Sequence, residues 1–532
     1  MEHHSRRRFL KLTGIAGAGL TFGTLPVAAE GQSERFLIDL REVSRSAVSS
    51  DVEVIHDLGE IDVLVAAGDP ESVGGPAATA PDVALDMHDD DEDDDGESGP
   101  VKERDDDDED DDGEESELPE RRALQWDKHV QELEEEVHET TRGAGSRVAV
   151  VDAGVYDAHP DLDGVVNDDL SKNFTTDEYD FRPNGAGDHG THVSGIVAAT
   201  NDYEGERGGV LGTAPETELL GLRVFSGREA ASGDVMAALV YAANQNCDAA
   251  NLSLGFPAYV DGELQVDPEE YPFLLTYKRL YERAVAYANE RGTVVVNSAG
   301  NDAIDLDPED VLGIPTEAEG IFAVSATGPI GYVWDDERED DEVDVEEALD
   351  DLREPTTQPA KYTTYGESVL DVSAAGGNYD PEALAEADDG DADNPKWFYD
   401  LVVSTTVTTT YEDGPDEDDT GSKPSEIVDT EPSYGFKAGT SMAAPQVTGA
   451  VALVRSLRPE MGVREVESLI RSTARDVGDP DYHGDGHLDL TALVRAIAGD
   501  DDEDDDDEDE NEEEEEEDEN EEEEEEEDED DD

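Results

Sequence analysis

The chain of 532 residues contains a single cysteine, Cys247, so no disulfide can form within it and its stability cannot rest on cross-links. Positive charge is scarce: 35 lysines and arginines face 144 aspartates and glutamates, a net charge of -109. A surface of that sign repels nucleic-acid phosphates and anionic membranes, so neither is expected as a partner. Long apolar runs are missing as well. The best candidate, Leu12 to Ala29, is rich in glycine and threonine, and no stable membrane span is expected.

What is abundant is acid, and two runs concentrate it. Residues 89–118 hold 20 acids and two bases, and residues 500–532 hold 31 acids and no base. These runs carry 18 and 31 of the net negative charges, which leaves the rest of the chain at -60. At molar salt the Debye length falls to about 3 Å and such self-repulsion is screened, so the acidity reads as adaptation to high salt. Residues 89–118 are expected to be a disordered acidic linker and 499–532 a disordered acidic tail, since neither can build a core.

The remaining chain divides by pattern. Ser5-Arg6-Arg7-Arg8-Phe9-Leu10-Lys11 precedes a weakly apolar stretch that ends in Val27-Ala28-Ala29. Residues 1–29 thus resemble a twin-arginine export signal, which implies the twin-arginine translocase as a partner and a secreted, extracellular product. Residues 30–88 read as a small α/β module with strands near 35–40, 52–55 and 61–65. A small module, a tether and a large body make up the plan of a zymogen. In the body, 119–498, apolar runs such as Arg147-Val-Ala-Val-Val151, Glu218–Val224, Ala249–Leu254, Thr293–Asn297 and Ile321–Ser325 alternate with amphipathic helical patterns. Near-continuous apolar strands imply a mostly parallel sheet with helices on both faces, an α/β fold. The site of such a sheet lies beyond the carboxyl ends of its strands. Acidic inserts near 335–352, 380–396 and 411–431 are expected to be surface loops.

Three segments carry chemistry. Asp152 closes a strand in Val148-Ala-Val-Val-Asp152-Ala-Gly; His189 stands in Gly187-Asp-His189-Gly-Thr-His-Val-Ser-Gly; Ser441 stands in Gly439-Thr-Ser441-Met-Ala-Ala-Pro. A serine hydroxyl is a poor nucleophile at neutral pH, so an imidazole must take its proton and a buried carboxylate must orient that imidazole. Helix entry at Ser441 offers N–H donors to a developing oxyanion, and Asn301, just past a strand, is a candidate side-chain donor. Alone, each is more often a cap or turn residue; together, all at strand ends or helix entries, they read as one catalytic constellation. His192 reads as a structural histidine.

These segments resemble the subtilase (subtilisin-like) serine peptidases, most of all the secreted halolysins of halophilic archaea, over roughly residues 125–498. The resemblance implies a serine endopeptidase that acts on protein and peptide substrates through an acyl-enzyme, with Asp152, His189 and Ser441 as triad and Asn301 as oxyanion donor. It implies that Ser253, Leu254 and Gly255 line the pocket for the residue before the cut, and that Ser232 and Gly233 pair with substrate backbone. Residues 30–88 would be the chain's own propeptide, serving as its inhibitor. Calcium is the one cofactor implied, as a structural ion held by Asp161, Asn201 and Asp202; catalysis needs none. Two departures stand out. Ala153 replaces the usual hydroxyl residue after the catalytic aspartate, which predicts lower efficiency, and Gln446 stands where a histidine is common. Ala153 and the acidic tail leave one alternative, an inactive subtilase acting as an acidic surface or cation-binding protein.

Overall fold

The computed structural model describes residues 35–73, 79–87, 101–102, 120–184, 187–205, 207–226, 229–256, 273–329, 356–379, 399–411 and 427–499, with a few more between 259 and 271. The expected export signal, nearly all of the acidic linker and tail, the inserts at 335–352 and 380–396, and the centre of the insert at 411–431 lie outside the described residues.

The body is built on a seven-stranded sheet in the order Val372–Ala375, Ile321–Thr327, Val294–Ser298, Ala249–Leu252, Arg147–Asp152, Glu218–Arg223 and Lys172–Asn173. Every neighbouring pair is parallel. Side chains alternate between the two faces of a strand, and both faces are buried here. Val148, Val150, Val294, Val296, Phe322 and Val324 pack against the helices His189–Ala198 and Thr440–Leu457. Ala149, Val151, Leu220, Leu222, Ala250 and Val295 pack against Ser232–Asn244 and Phe273–Glu290. Burial on both sides is why these strands read as continuous apolar runs. The fold is the expected α/β class.

A long antiparallel hairpin, Val402–Tyr411 with Ile427–Lys437, lies outside this sheet. The expected loop at 411–431 is corrected at its end: Asp429 pairs with Thr410 and Glu431 with Thr408 in the ladder. Asp429 and Glu431 face solvent, so acidity there marks the exposed face of a strand. The partner strand is rich in valine and threonine, whose branched side chains suit a pleated surface.

The N-terminal module is an antiparallel sheet in the order Glu53–Leu58, Val63–Ala67, Arg35–Asp39 and Thr79–Pro81. Among its described residues there are short 3-10 turns at Arg45–Ala47, Gly59–Ile61 and Pro70–Val73 but no α-helix, where an α/β module was expected. Its alternation sorts the apolar residues into two sets. Phe36, Ile38, Leu64 and Ala66 form a small cluster of their own, whereas Leu37, Val63 and Val65 join the body's core beside Tyr277 and Tyr281.

Candidate active site

Parallel strands deliver their carboxyl ends to one edge of the sheet. Asp152 is the last residue of its strand, Ser253 directly follows the strand Ala249–Leu252, and Asn301 follows Val294–Ser298. His189 and Ser441 open helices that pack on the same face of the sheet, where Val193, Ile196 and Val197 share a core with Met442, Ala443 and Val447. Asp152, His189 and Ser441 are all buried, at 0%, 1% and 0% exposure. The His189 Nδ1–H donates to Asp152 Oδ1 at 2.8 Å. With Nδ1 committed as donor, Nε2 is the ring nitrogen left to exchange a proton. The same Asp152 oxygen receives the Ala153 amide at 2.6 Å, so a backbone donor supports the carboxylate that Ala153 leaves without a hydroxyl. Residue 190 must be glycine for this approach, since a Cβ there would stand 2.3 Å from Gly154 O and 3.0 Å from Asp152 Oδ1.

The Ser441 segment is tied to the neighbouring strand ends. Thr448 Oγ1 donates to Asn251 Oδ1, Asn251 Nδ2 to Ser253 Oγ, and Ser253 Oγ to Ser441 O at 3.0 Å. Asn301 Oδ1 accepts from Thr440 N at 3.0 Å and from Thr440 Oγ1 at 2.9 Å. Its acceptor end is thus anchored next to Ser441 in the chain, at Thr440. Thr440, Thr448 and Asn251 were not singled out in the sequence; the threonine within Gly439-Thr-Ser441 was the available signal. His192 bridges Val402 O and Gly435 O from Nε2, both at 3.1 Å, and so clamps the hairpin to the His189 helix in the structural role expected of it. Gln446 is structural too. Its Nε2 donates to Asp127 Oδ2 at 2.7 Å, and its Oε1 accepts from Lys128, whose ammonium burial pulls below the usual lysine range.

Ser232, Gly233 and Ser253–Gly255 border a groove that holds the chain's own residues. Ala84–Met87 lies as a strand between Glu229–Ala231 and Leu254–Gly255, antiparallel to both, with Leu85 opposite Ala230 and Met87 opposite Leu254. Ser232 N donates to Val83 O at 3.0 Å and Gly233 N to Asp82 Oδ1 at 2.8 Å.

The three residues expected to hold calcium differ in burial. Asp161 is fully buried, while Asn201 and Asp202 are exposed. Asp161 Oδ1 accepts from Tyr203 N, and Oδ2 from Val210 N and Tyr434 Oη, each at 2.9 Å. Burial above all, then the neighbouring Asp161 charge, pushes the Tyr434 hydroxyl far above the ordinary tyrosine range, so it stays a donor. Among the described residues no group of three or more histidine, cysteine, aspartate or glutamate side chains is disposed to hold a metal ion, and no helix is long and apolar enough to cross a membrane.

A buried aspartate–histidine pair and a helix-entry serine, at the carboxyl edge of a parallel α/β sheet, fit the serine hydrolase class. Within it the chain belongs to the Subtilase family, which it matches over residues 143–489. It is 25% identical over 485 residues to the thermostable alkaline protease of Halalkalibacterium halodurans, covering 90% of this chain and 97% of that protein. It is 25% identical to subtilisin DY of Bacillus licheniformis, covering 66% of this chain and 92% of that one. Among solved structures, the epidermin leader peptide processing serine protease of Staphylococcus aureus shares the fold with a TM-score of 0.58 at 17% identity, over 87% of this chain and 98% of its own. The protein is a serine endopeptidase of the subtilisin type.

Proposed function

We propose that the chain is the zymogen of a secreted endopeptidase that works in concentrated salt, related in habit to the halolysins, with Ser441 as nucleophile, His189 as general base and Asp152 as its orienting carboxylate. A substrate segment enters the groove as an extended strand beside Ser232 and Gly233 and beside Leu254 and Gly255. Ser441 Oγ attacks the carbonyl carbon while its proton passes to His189 Nε2. The oxyanion gathers at the amino end of the Thr440–Leu457 helix and at the Asn301 amide. Collapse forms the acyl-enzyme, and His189 returns the proton to the leaving amine. Water repeats the sequence and frees the acid.

The observation that carries this reading is the strand Ala84–Met87. A peptide paired with Leu254–Gly255 runs past Ser253, whose hydroxyl bonds the backbone of Ser441, and so is led to the nucleophile. A groove that pairs both edges of an extended chain takes internal segments, which suits an endopeptidase. The same occupancy supports the N-terminal module as inhibitor. The paired arginines near the N-terminus support export through the twin-arginine translocase, and the charge of -109 supports work in brine.

Expression in multimolar salt tests the proposal. The wild-type chain is expected to lose residues up to a point between 88 and 119 and to cleave peptides. The Ser441→Ala chain is expected to stay full length with turnover lowered on the order of 10⁶-fold, as when a serine triad loses its nucleophile. Equal cleavage by both proteins refutes the assignment. Full activity retained after dialysis into dilute buffer refutes the high-salt part alone.

A further inference from the structure

We infer that the Arg121 guanidinium, and not a calcium ion, supplies the positive charge that holds the loop 200–211 around Asp161. Calcium binds carboxylates and carbonyls by their oxygen lone pairs. At Asp161 three of the roughly four lone-pair positions of the carboxylate are taken: one peptide N–H donates to Oδ1, and a second peptide N–H and the Tyr434 hydroxyl donate to Oδ2. The cradle is also closed tightly, because a Cβ at Gly209 would stand 2.4 Å from both oxygens.

A cation is nevertheless present one layer out. Arg121 Nη1 donates to Gly208 O at 2.6 Å, and Arg121 N donates to Arg207 O at 2.9 Å. The guanidinium carbon lies 4.1 Å from the centre of the Tyr434 ring, whose hydroxyl meets Asp161, and 5.8 Å from that of Tyr203. Guanidinium, aromatic face, hydroxyl and carboxylate therefore form one continuous contact between the arginine and the buried negative charge. Arginine suits the position because it remains charged at any working pH and stacks flat on an aromatic face. The next residues continue the tie: Gln125 Oε1 accepts from Leu211 N at 2.8 Å and Gln125 Nε2 donates to Leu211 O at 3.0 Å. The loop is thus bound to the segment that opens the catalytic body, and any processing must spare Arg121 to keep it.

The test uses the full chain carrying Ser441→Ala, unfolded thermally in high salt with added calcium chloride or with chelator. The expected result is one melting temperature in both conditions and a fall of about 2–4 °C in Arg121→Gln that calcium does not restore. Arg121→Lys, which keeps the charge but not the flat stack, is expected to fall between the two. A stabilisation by calcium that Asp161→Asn abolishes overturns the inference, as does an Arg121→Gln protein that melts like its parent. A calcium response equal in the parent and Asp161→Asn arises elsewhere and, with the Arg121→Gln loss intact, supports it. Should Asp161→Asn fail to fold, terbium ions added to the parent give the same decision. Tyrosine-sensitised emission lost in Tyr434→Phe places an ion at Asp161 and overturns the inference; emission absent, or unchanged in that variant, supports it.

Discussion

The body and the N-terminal module are both sheets, but they are held in different ways. The central sheet is covered by helices on both faces and held by apolar packing. The module buries one face on the body and joins it through charge. Arg35, 7% exposed, bonds Asp82 through Nε at 2.9 Å and Asp234 through Nη2 at 2.6 Å. His56 Nε2 meets the same Asp234 oxygen at 2.8 Å, and Arg283 Nη2 bonds Asp39 at 2.5 Å. Apolar area released to water costs free energy on every opening, whereas ions released to water are rehydrated. A joint made of both is firm while closed and easier to part than a joint of apolar packing alone. That difference suits a module that, on the proposed reading, must hold the groove and later leave it.

The largest effect that could break this comparison is at Arg35. In Arg35→Ala, Asp82 and Asp234 are left buried without their cation, a loss of about 3–5 kcal/mol. Full-length protein carrying Ser441→Ala should then show amide exchange in residues 35–87 faster by two or more orders of magnitude, with the body's exchange unchanged. Coupled loss of both regions would show that the two form a single cooperative unit. The counterpart in the body is Leu453→Ala, at a fully buried position of the Ser441 helix. It should cost about 2–5 kcal/mol and lower the body's melting temperature, read by calorimetry.

Acid should act mainly on the body. Burial above all draws the imidazoles of His138 and His159 down to about 4 and that of His487 to about 3. Below the ordinary histidine value of about 6.5 the unfolded chain binds these protons and the folded chain does not. Their stabilisation is therefore complete above about pH 6.5 and is lost as pH falls towards 4. Buried acids oppose them: burial raises Asp371 to about 6 and Glu467 to about 7, and raises Asp82, Asp248 and Glu317 as well, so their contribution is lost as pH rises through their folded values. Removing one opposing acid, as in Glu467→Gln, should therefore make the melting temperature rise more steeply between pH 4 and 7 than in the parent at constant salt. A profile no steeper than the parent's contradicts the assignment. The smallest effect is expected at the exposed pair of Arg45 and Asp57 in the module, with side chains 54% and 49% exposed. Asp57→Asn should leave the exchange of residues 35–87 unchanged, because solvent and salt already screen such a pair.

Much of the site could be read in the chain itself. Asp152, His189 and Ser441 sit in short segments whose neighbours are dictated by close approach, as Gly190 is by Asp152. The strands of the body were legible because burial on both faces writes a continuous apolar run. The hairpin Val402–Lys437 was not, because its return strand carries acids on an exposed face and resembles the solvated inserts around it. The anchoring of Asn301 by Thr440 was not legible either, since that contact spans 139 residues and either one alone is an ordinary turn residue.

By itself, then, the chain determined the properties that arise from local pattern: the layering of sheet and helices, the chemical identity of the site, and the great excess of negative charge. Those properties need only neighbouring residues and their burial, which periodicity records. The tertiary structure alone decided which groups meet. Ala84–Met87 occupies the groove, and Asp161, expected to hold an ion, turns its oxygens to donors that include a hydroxyl 273 residues away. A carboxylate's role is set by what faces its lone pairs, and no stretch of neighbouring sequence states that.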